Sequence, residues 1–229
     1  MSDHTTQKTP SRTERIQAFL STYKVTISIL SAVLIVGILA SVGISQWLSS
    51  QAERSAEAAE EIQNLWDDFQ DNEDAETETQ LREAIETALE THPRRYASLR
   101  ALLVLGQLEY QKENYEAARE AFRQLAETHG GTYIEPTALA GAAAAAEESG
   151  DTAAARDFFG RIVEIEGVPN LERPRALFSL GRLAEAEGDT PLAVEYYQRL
   201  VDEHGSSNWT NLGRNRIIWL TSRGSASEG

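Results

Sequence analysis

The feature that most limits what this chain can fold into is an internal repeat. Residues 99–130 (LRALLVLGQLEYQKENYEAAREAFRQLAETHG) and 174–205 (PRALFSLGRLAEAEGDTPLAVEYYQRLVDEHG) match at identical offsets. Both carry Arg-Ala-Leu, Leu-Gly, an alanine with an aromatic four residues on, and His-Gly. They lie 75 residues apart, two periods of about 37, so a further unit belongs between them, and TALAGAAAAAEESGDTAAARDFFGRIVEIEG fills it. An earlier unit precedes them, because REAIETALETHP at 82–93 mirrors REAFRQLAETHG at 119–130. The unit ends His92-Pro93, His129-Gly130, Glu166-Gly167 and His204-Gly205 are spaced 37, 37 and 38 residues apart. Such a period means stacked supersecondary units, each unable to bury its apolar face alone.

Apolar residues recur at three-and-four spacing in both halves of each unit, the period of an amphipathic helix. Polar or glycine-bearing turns separate the halves at Glu113-Asn114, Gly150-Asp151 and Gly188-Asp189. Glycine or proline after the second helix stops it and lets the chain reverse. Small residues sit where the two helices of a unit should cross: Gly106, Ala118, Ala143, Ala155, Gly181 and Ala193. Leu105, Phe122, Phe159, Leu180 and Tyr197 supply the bulk to fill the holes beside them.

This pattern resembles the tetratricopeptide repeat, W-x2-L-G-x2-Y followed by A-x3-F and a late proline. Leu102, Leu105 and Gly106 with Ala118 and Phe122 match it, as do Leu177, Leu180 and Gly181 with Ala193 and Tyr197. Trp209, Leu212 and Gly213 match the opening of one more unit. The resemblance covers roughly residues 60–222 and implies an all-α, right-handed helical solenoid. The middle unit departs from it with Ala142-Ala143 for Leu-Gly, and the first keeps Leu81 and Ile85 where Ala and Phe are expected. Repeats are expected over 94–222, ending in a capping helix from Trp209 to Ser222 and a flexible tail over 223–229.

The chain has 229 residues and a net charge of −15, distributed unevenly. Residues 1–24 hold Lys8, Arg12, Arg15 and Lys24 and carry +2; residues 25–52 carry no charge; the remainder carries −17. Val25–Trp47 reads VTISILSAVLIVGILASVGISQW, 23 uncharged residues. At ~1.5 Å per residue such a helix crosses the ~30 Å hydrocarbon layer. A cleaved signal peptide is the rival, but its apolar core runs only ~7–15 residues before a small-x-small site. The expectation is therefore an uncleaved transmembrane helix over 25–47, preceded by a basic cytoplasmic N-terminus over 1–24. An Ala/Glu-rich helix and a degenerate first repeat would follow over 48–93. Basic residues before the helix, against only Arg54 close behind it, put the N-terminus in the cytoplasm and the acidic body outside, in the periplasm of a bacterium. Gly37, Ser41 and Ser45 form an i, i+4, i+8 stripe that could pack on another membrane helix, although small residues are common in such helices anyway.

Absence of cysteine removes disulfides, thiolate zinc sites and thiol nucleophiles. The acidic balance argues against nucleic-acid binding. Matched His92, His129 and His204 could be read as a metal ladder or as general bases. Units stacked roughly 10 Å apart keep them from converging, so they read as helix ends meeting orphan carbonyls. Catalytic and dinucleotide motifs are absent, and paired acids such as Asp67-Asp68 read as solvated faces. Asn208-Trp209-Thr210 fits a glycosylation acceptor, but the repeat accounts for Trp209. No cofactor, metal, catalytic residue or small-molecule substrate is expected.

The remaining functional surface is the concave face of the solenoid, where such repeats bind peptides or partner helices. By repeat position the first helices present Arg100, Leu103, Gln107 and Tyr110 there, then Arg175, Phe178 and Arg182, with Arg214 from the cap. The arginines could grip carboxylates in bidentate fashion or could pair with nearby glutamates. The carboxylate clamp of chaperone-binding members is not met, because Leu103 and Gln107 replace its basic and amide residues.

A basic N-terminus, one anchor, then Trp47 and AERSAEAAEEIQNLWDDF before a repeat domain resembles the YfgM-like family. The resemblance implies an inner-membrane protein whose periplasmic domain works beside the Sec translocon and periplasmic chaperones, with translocon subunits, chaperones or exported chains as partners. The His-Pro and His-Gly endings are also similar to repeats of outer-membrane assembly lipoproteins, whose lipid anchor needs the cysteine this chain lacks. Three readings follow. They are a non-enzymatic interaction module, a structural scaffold of an envelope complex for division, cell-wall or secretion machinery, and an enzyme, for which no motif speaks.

Overall fold

The computed structural model describes residues 12–227. Lys8, with the rest of the basic N-terminus up to Ser11, and Glu228–Gly229 of the expected tail lie outside the described residues. The described chain contains nine α-helices and no strand. They are α1 (Arg12–Asn72), α2 (Ala75–Thr91), α3 (Tyr96–Gln111), α4 (Tyr115–Thr128), α5 (Glu135–Glu148), α6 (Thr152–Glu164), α7 (Arg173–Ala186), α8 (Thr190–Glu203) and α9 (Asn208–Ser227). The chain divides into two compact units after Glu53.

In the first unit α1 carries the uncharged stretch, and α1 is the one helix among the described residues long and apolar enough to cross a membrane. The described large side chains of that stretch are exposed, including Val33 at 64% and Val36 at 65%. Helix α1 runs on without a break beyond Trp47. The sequence reading set a membrane helix apart from an Ala/Glu-rich one, but no glycine or proline between Trp47 and Ala52 interrupts the helix.

In the second unit the later part of α1 acts as the first helix of a repeat and α2 as its second. Ser55, buried in α1, accepts a hydrogen bond at 2.9 Å from the Ala97 N–H, an orphan donor at the start of α3. Gln70 near the end of the same helix donates to Gln111 at the end of α3, at 2.7 Å, so the two helices run parallel. Ala59, Ile62 and Phe69 of α1 share a core with Leu81 and Ile85 of α2 and with Ala101 and Leu108 of α3. The pairs α3–α4, α5–α6 and α7–α8 repeat the arrangement, each helix packing against the next in sequence, and α9 lies against α7 and α8.

The turns inside the repeats are built alike. Gly150 and Gly188 take φ of +78° and +81°, the left-handed conformation that closes a helix without a Cβ penalty. The following Asp151 N–H reaches back to the Ala146 carbonyl at 2.8 Å, and the Asp189 N–H to that of Ala184 at 2.9 Å. Each Asp side chain then caps the next helix, Asp151 accepting from the Ala154 N–H at 3.0 Å and Asp189 from the Leu192 N–H at 3.1 Å. His92, His129 and His204 close α2, α4 and α8, their backbone N–H groups donating to the Ala88, Leu125 and Leu200 carbonyls, while the His92 Nδ1 and His204 Nε2 ring atoms are buried without a hydrogen-bond partner.

Inside the array, glycines meet rings. A Cβ on Gly106 would lie 2.6 Å from the Phe122 ring and one on Gly181 2.5 Å from the Tyr197 ring. Both glycines stand at the predicted helix crossings. Gly141 of α5, not singled out from sequence, sits equally close to the other side of Phe122, at 2.9 Å. One ring thereby joins α3, α4 and α5.

Candidate interaction surface

The surface expected to bind partners is formed by the first helices of successive repeats. Two structural units 37 or 38 residues apart present side chains from equivalent positions, so Gln107, Ala144 and Arg182 form one row and Tyr110, Glu147 and Glu185 another. Leu103 and Tyr110 are half-buried against the main core, and Gln107 is exposed. The Tyr110 ring meets Tyr115 edge-on, with centroids 5.4 Å apart. Gln107, Tyr110, Gln111, Phe122, Gly141 and Ala144 line a shallow cavity of about 250 Å³ between α3 and α5. Burial, reinforced by the nearby carboxylate of Glu148, pushes the Tyr110 hydroxyl above its ordinary pKa. Tyr110 therefore stays a neutral hydrogen-bond donor at this rim.

The arginines differ in what they meet. Arg182 is ion-paired with Glu147 of the preceding first helix. Arg175 lies 3.6 Å from Glu172 at the start of its own helix. Arg100 donates to the Tyr96 hydroxyl at 3.3 Å, while its buried Nε has no hydrogen-bond partner. Arg214 is exposed on α9. Phe178 lies tilted against both the Tyr197 and Trp209 rings, with centroids 5.5 and 5.3 Å away, and so joins the last repeat to its cap. Two arginines of the row thus have carboxylate partners within the chain. Sequence alone allowed glutamate partners for the arginines without assigning Glu147 to Arg182, although its position 35 residues before Arg182, close to one repeat length, was a usable signal.

Two ionic networks brace the array. Arg82 of α2 donates to Glu78 at 2.9 Å and to buried Glu109 of α3 at 2.6 Å, and Lys112 donates to Glu78 at 2.6 Å. At the other end Arg216 of α9 pairs with Glu185 of α7 and lies over the Trp219 ring, 4.5 Å from its centroid. The Arg216 hydrogen bonds hold the Glu185 carboxyl below its ordinary pKa against the opposing effect of burial. Tyr197 is fully buried, and its hydroxyl is pushed well above the ordinary tyrosine value by burial first and then by Glu185. Among the described residues no group of three or more His, Asp or Glu side chains converges to hold a metal. His129 Nε2 instead lies 3.2 Å from the Ser98 hydroxyl, and burial lowers its pKa.

Helix pairs stacked in register, small residues at the crossings and a cap over the last pair define a tetratricopeptide-type solenoid, a class of domain that binds proteins and typically carries no catalysis. Residues 17–212 match the tetratricopeptide repeat-like domain, and the chain belongs to that family. A tetratricopeptide repeat protein from Parabacteroides merdae ATCC 43184 shares the fold at 18% identity and a TM-score of 0.56, over 73% of this chain and 61% of that one. The chain thus spans less than two thirds of that structure's length. The MamA protein shares it at 16% identity and a TM-score of 0.52, over 73% of this chain and 88% of that one. No curated protein matches the chain.

Proposed function

We propose that this chain is a non-catalytic, single-pass protein of the inner (cytoplasmic) membrane, with its N-terminus in the cytoplasm and its repeat domain in the periplasm. The repeat domain binds protein partners at the envelope: Sec translocon subunits, periplasmic chaperones or exported chains. The observation that carries the anchor is the exposure of the uncharged stretch of α1. Val33, Leu34, Val36 and Leu39 have no protein to cover them, and burial in hydrocarbon removes that cost. The Ser41 hydroxyl donates to the Ile38 carbonyl at 2.7 Å, which satisfies it without water. Gly37, exposed like Ser41 and Ser45, leaves room for a second helix to approach. Orientation rests on the charge bias about Val25–Trp47. Partner binding by Arg100, Leu103, Gln107, Tyr110, Arg175, Phe178, Arg182 and Arg214 belongs to the same proposal.

The test has two arms. A reporter active only outside the cytoplasm, fused after Gly229, should be active; a silent one overturns the orientation. Crosslinking in native membranes should then recover translocon subunits and nascent exported chains. Recovery of one stable envelope partner alone would replace that role with a structural scaffold. Alanine at both Arg175 and Arg182 should weaken partner capture, and unchanged capture removes those residues from the site.

A further inference from the structure

We propose that the cavity between α3 and α5 binds an extended segment of a partner protein in which an apolar side chain is followed by lysine or arginine. The apolar side chain enters against Phe122, Gly141 and Ala144, and the cation sits by Tyr110, Tyr115, Glu113 and Glu148. This rests on the reading of the repeat domain as a protein-binding module and names the chemistry of what it binds.

The cavity is open because α5 carries Gly141 and Ala144 one turn apart, which bares the Phe122 ring between them. The equivalent residues of α7 are Ser179 and Arg182, a hydroxyl and a long ion-paired side chain. A volume of about 250 Å³ falls below the roughly 300–1,000 Å³ of small-molecule sites and suits a single side chain. At the rim Gln111 is bonded to Gln70 and Glu73, whereas the Gln107 amide has no partner among the described residues and is left for a peptide backbone.

The charge beside the cavity selects a cation. Desolvation, then the carboxylates of Glu113 and Glu148, raise the pKa of the Tyr115 hydroxyl, and Glu148 acts on Tyr110 as well, so both acids lie close to the ring pair. Both are exposed, and neither has an ion-pair partner among the described residues. The cations nearby are already held: Lys112 by Glu78 at 2.6 Å, Arg119 by Asp151 at 2.7 Å and Arg182 by Glu147, while Arg175, which also acts on Tyr110, faces Glu172 at 3.6 Å. Tyrosine rings add the attraction of their faces for an ammonium or guanidinium group. Glu113 stands at φ +60° where the matched turns use Gly150 and Gly188, so its side chain is kept at a conformational cost that the turn does not require.

The full-length chain in phosphatidylcholine vesicles is titrated with a fluorescent nine-residue peptide, one leucine followed by two lysines in a Ser-Gly background, and anisotropy is read. Alanine for the peptide leucine, or Ala144→Leu in the chain, should weaken binding about tenfold. Gln107→Trp, on the exposed rim, closes the cavity without entering the core and should weaken it alike, which keeps the test valid if Ala144→Leu lowers the melting temperature. Glu113→Gln combined with Glu148→Gln should weaken binding several-fold and flatten its salt dependence. Absence of binding overturns the proposal, as does equal binding of a peptide with glutamates in place of the lysines. Binding that ignores the peptide leucine, Ala144→Leu and Gln107→Trp is attraction to net charge alone and overturns it too. None of these results removes the wider reading, which fails if crosslinking in native membranes recovers no protein partner.

Discussion

Two kinds of helix crossing coexist in this array. In α3–α4 and α7–α8 an aromatic ring of the second helix lies directly on a glycine of the first, Phe122 on Gly106 and Tyr197 on Gly181. In α5–α6 the same position is Ala143, fully buried opposite Phe159, and α5 buries six alanines in all. The middle pair gives its own glycine to a neighbour instead, since Gly141 serves Phe122 of the preceding pair. A small residue facing an aromatic ring, rather than one fixed residue pair, is therefore what recurs at each crossing. The flanking pairs depend on a glycine that cannot grow, whereas the middle pair depends on many small contacts.

The largest expected effect is at the shared ring. Phe122→Ala should cost about 3–5 kcal/mol, because it opens a cavity facing three helices. Leu180→Ala, at a buried position 3% exposed, should cost ~2–5 kcal/mol by the same mechanism. Denaturant unfolding of the full chain in detergent measures both. A near-unchanged midpoint for Phe122→Ala would mean that α3, α4 and α5 are not joined through that ring.

Next comes the glycine itself. Gly181→Ala places a methyl 2.5 Å from the Tyr197 ring, and the ring is fully buried, so it cannot swing away freely. Overpacking of this kind should cost roughly 1–3 kcal/mol. The reciprocal change Ala143→Gly should cost only about 1 kcal/mol, from helix propensity and one lost methyl. Equal losses in the two variants would erase the distinction between the crossings.

The cap over the last pair adds a pH-dependent element: Glu185 of α7 pairs with Arg216 of α9, as Glu147 of α5 pairs with Arg182 of α7. The folded pKa of Glu185 lies below the ordinary 4.5, so its stabilisation is fully present above that value and is lost as pH falls through the folded pKa. Glu185→Gln should lower stability at neutral pH by no more than about 1 kcal/mol, given the partial exposure of Arg216. It should also flatten the loss of stability below pH 4.5. Thermal melts from pH 7 to pH 3 check both; a slope identical to that of the natural chain would remove Glu185 from the acid response.

Much of the fold was legible because a period leaves the same trace four times. His92, His129 and His204 recur at helix ends, and Gly106 and Gly181 at crossings, so the period shows even where one unit carries Glu166 or Ala143 instead. The surface was less legible. Arg182 reads from sequence as a grip for carboxylates or as the partner of nearby glutamates, and which glutamate meets it, Glu147 of the neighbouring repeat, depends on how two helices are staggered. The contact of Phe178 with Trp209 of the cap was likewise not readable, because it joins two units through their packing. Gly141 was hidden in an alanine run, where one missing methyl leaves no periodic signal. The continuity of α1 through Trp47 was hidden because a sharp change in hydropathy looks like a boundary, although the backbone responds only to breakers.

The smallest prediction concerns the turns. Gly150 and Gly188 adopt left-handed φ at no steric cost, but the equivalent residue between α3 and α4 is Glu113, at φ +60°. The turn still forms the same backbone bond, the Asn114 N–H donating to the Glu109 carbonyl at 2.9 Å, so the geometry is imposed by the repeat and Glu113 bears the strain. A non-glycine residue in that conformation costs roughly 1–2 kcal/mol. Replacing it with glycine relieves this cost but adds unfolded-state entropy worth about 0.5–1 kcal/mol. Glu113→Gly should therefore stabilise the domain by about 0.5 kcal/mol, whereas Gly188→Ala, the reverse change in the matched turn, should destabilise it by about 1 kcal/mol. Opposite signs in the two melts would show that the repeats share one turn geometry filled by residues of unequal fitness. A loss of stability in Glu113→Gly would mean instead that the Glu113 side chain contributes something the turn geometry does not require.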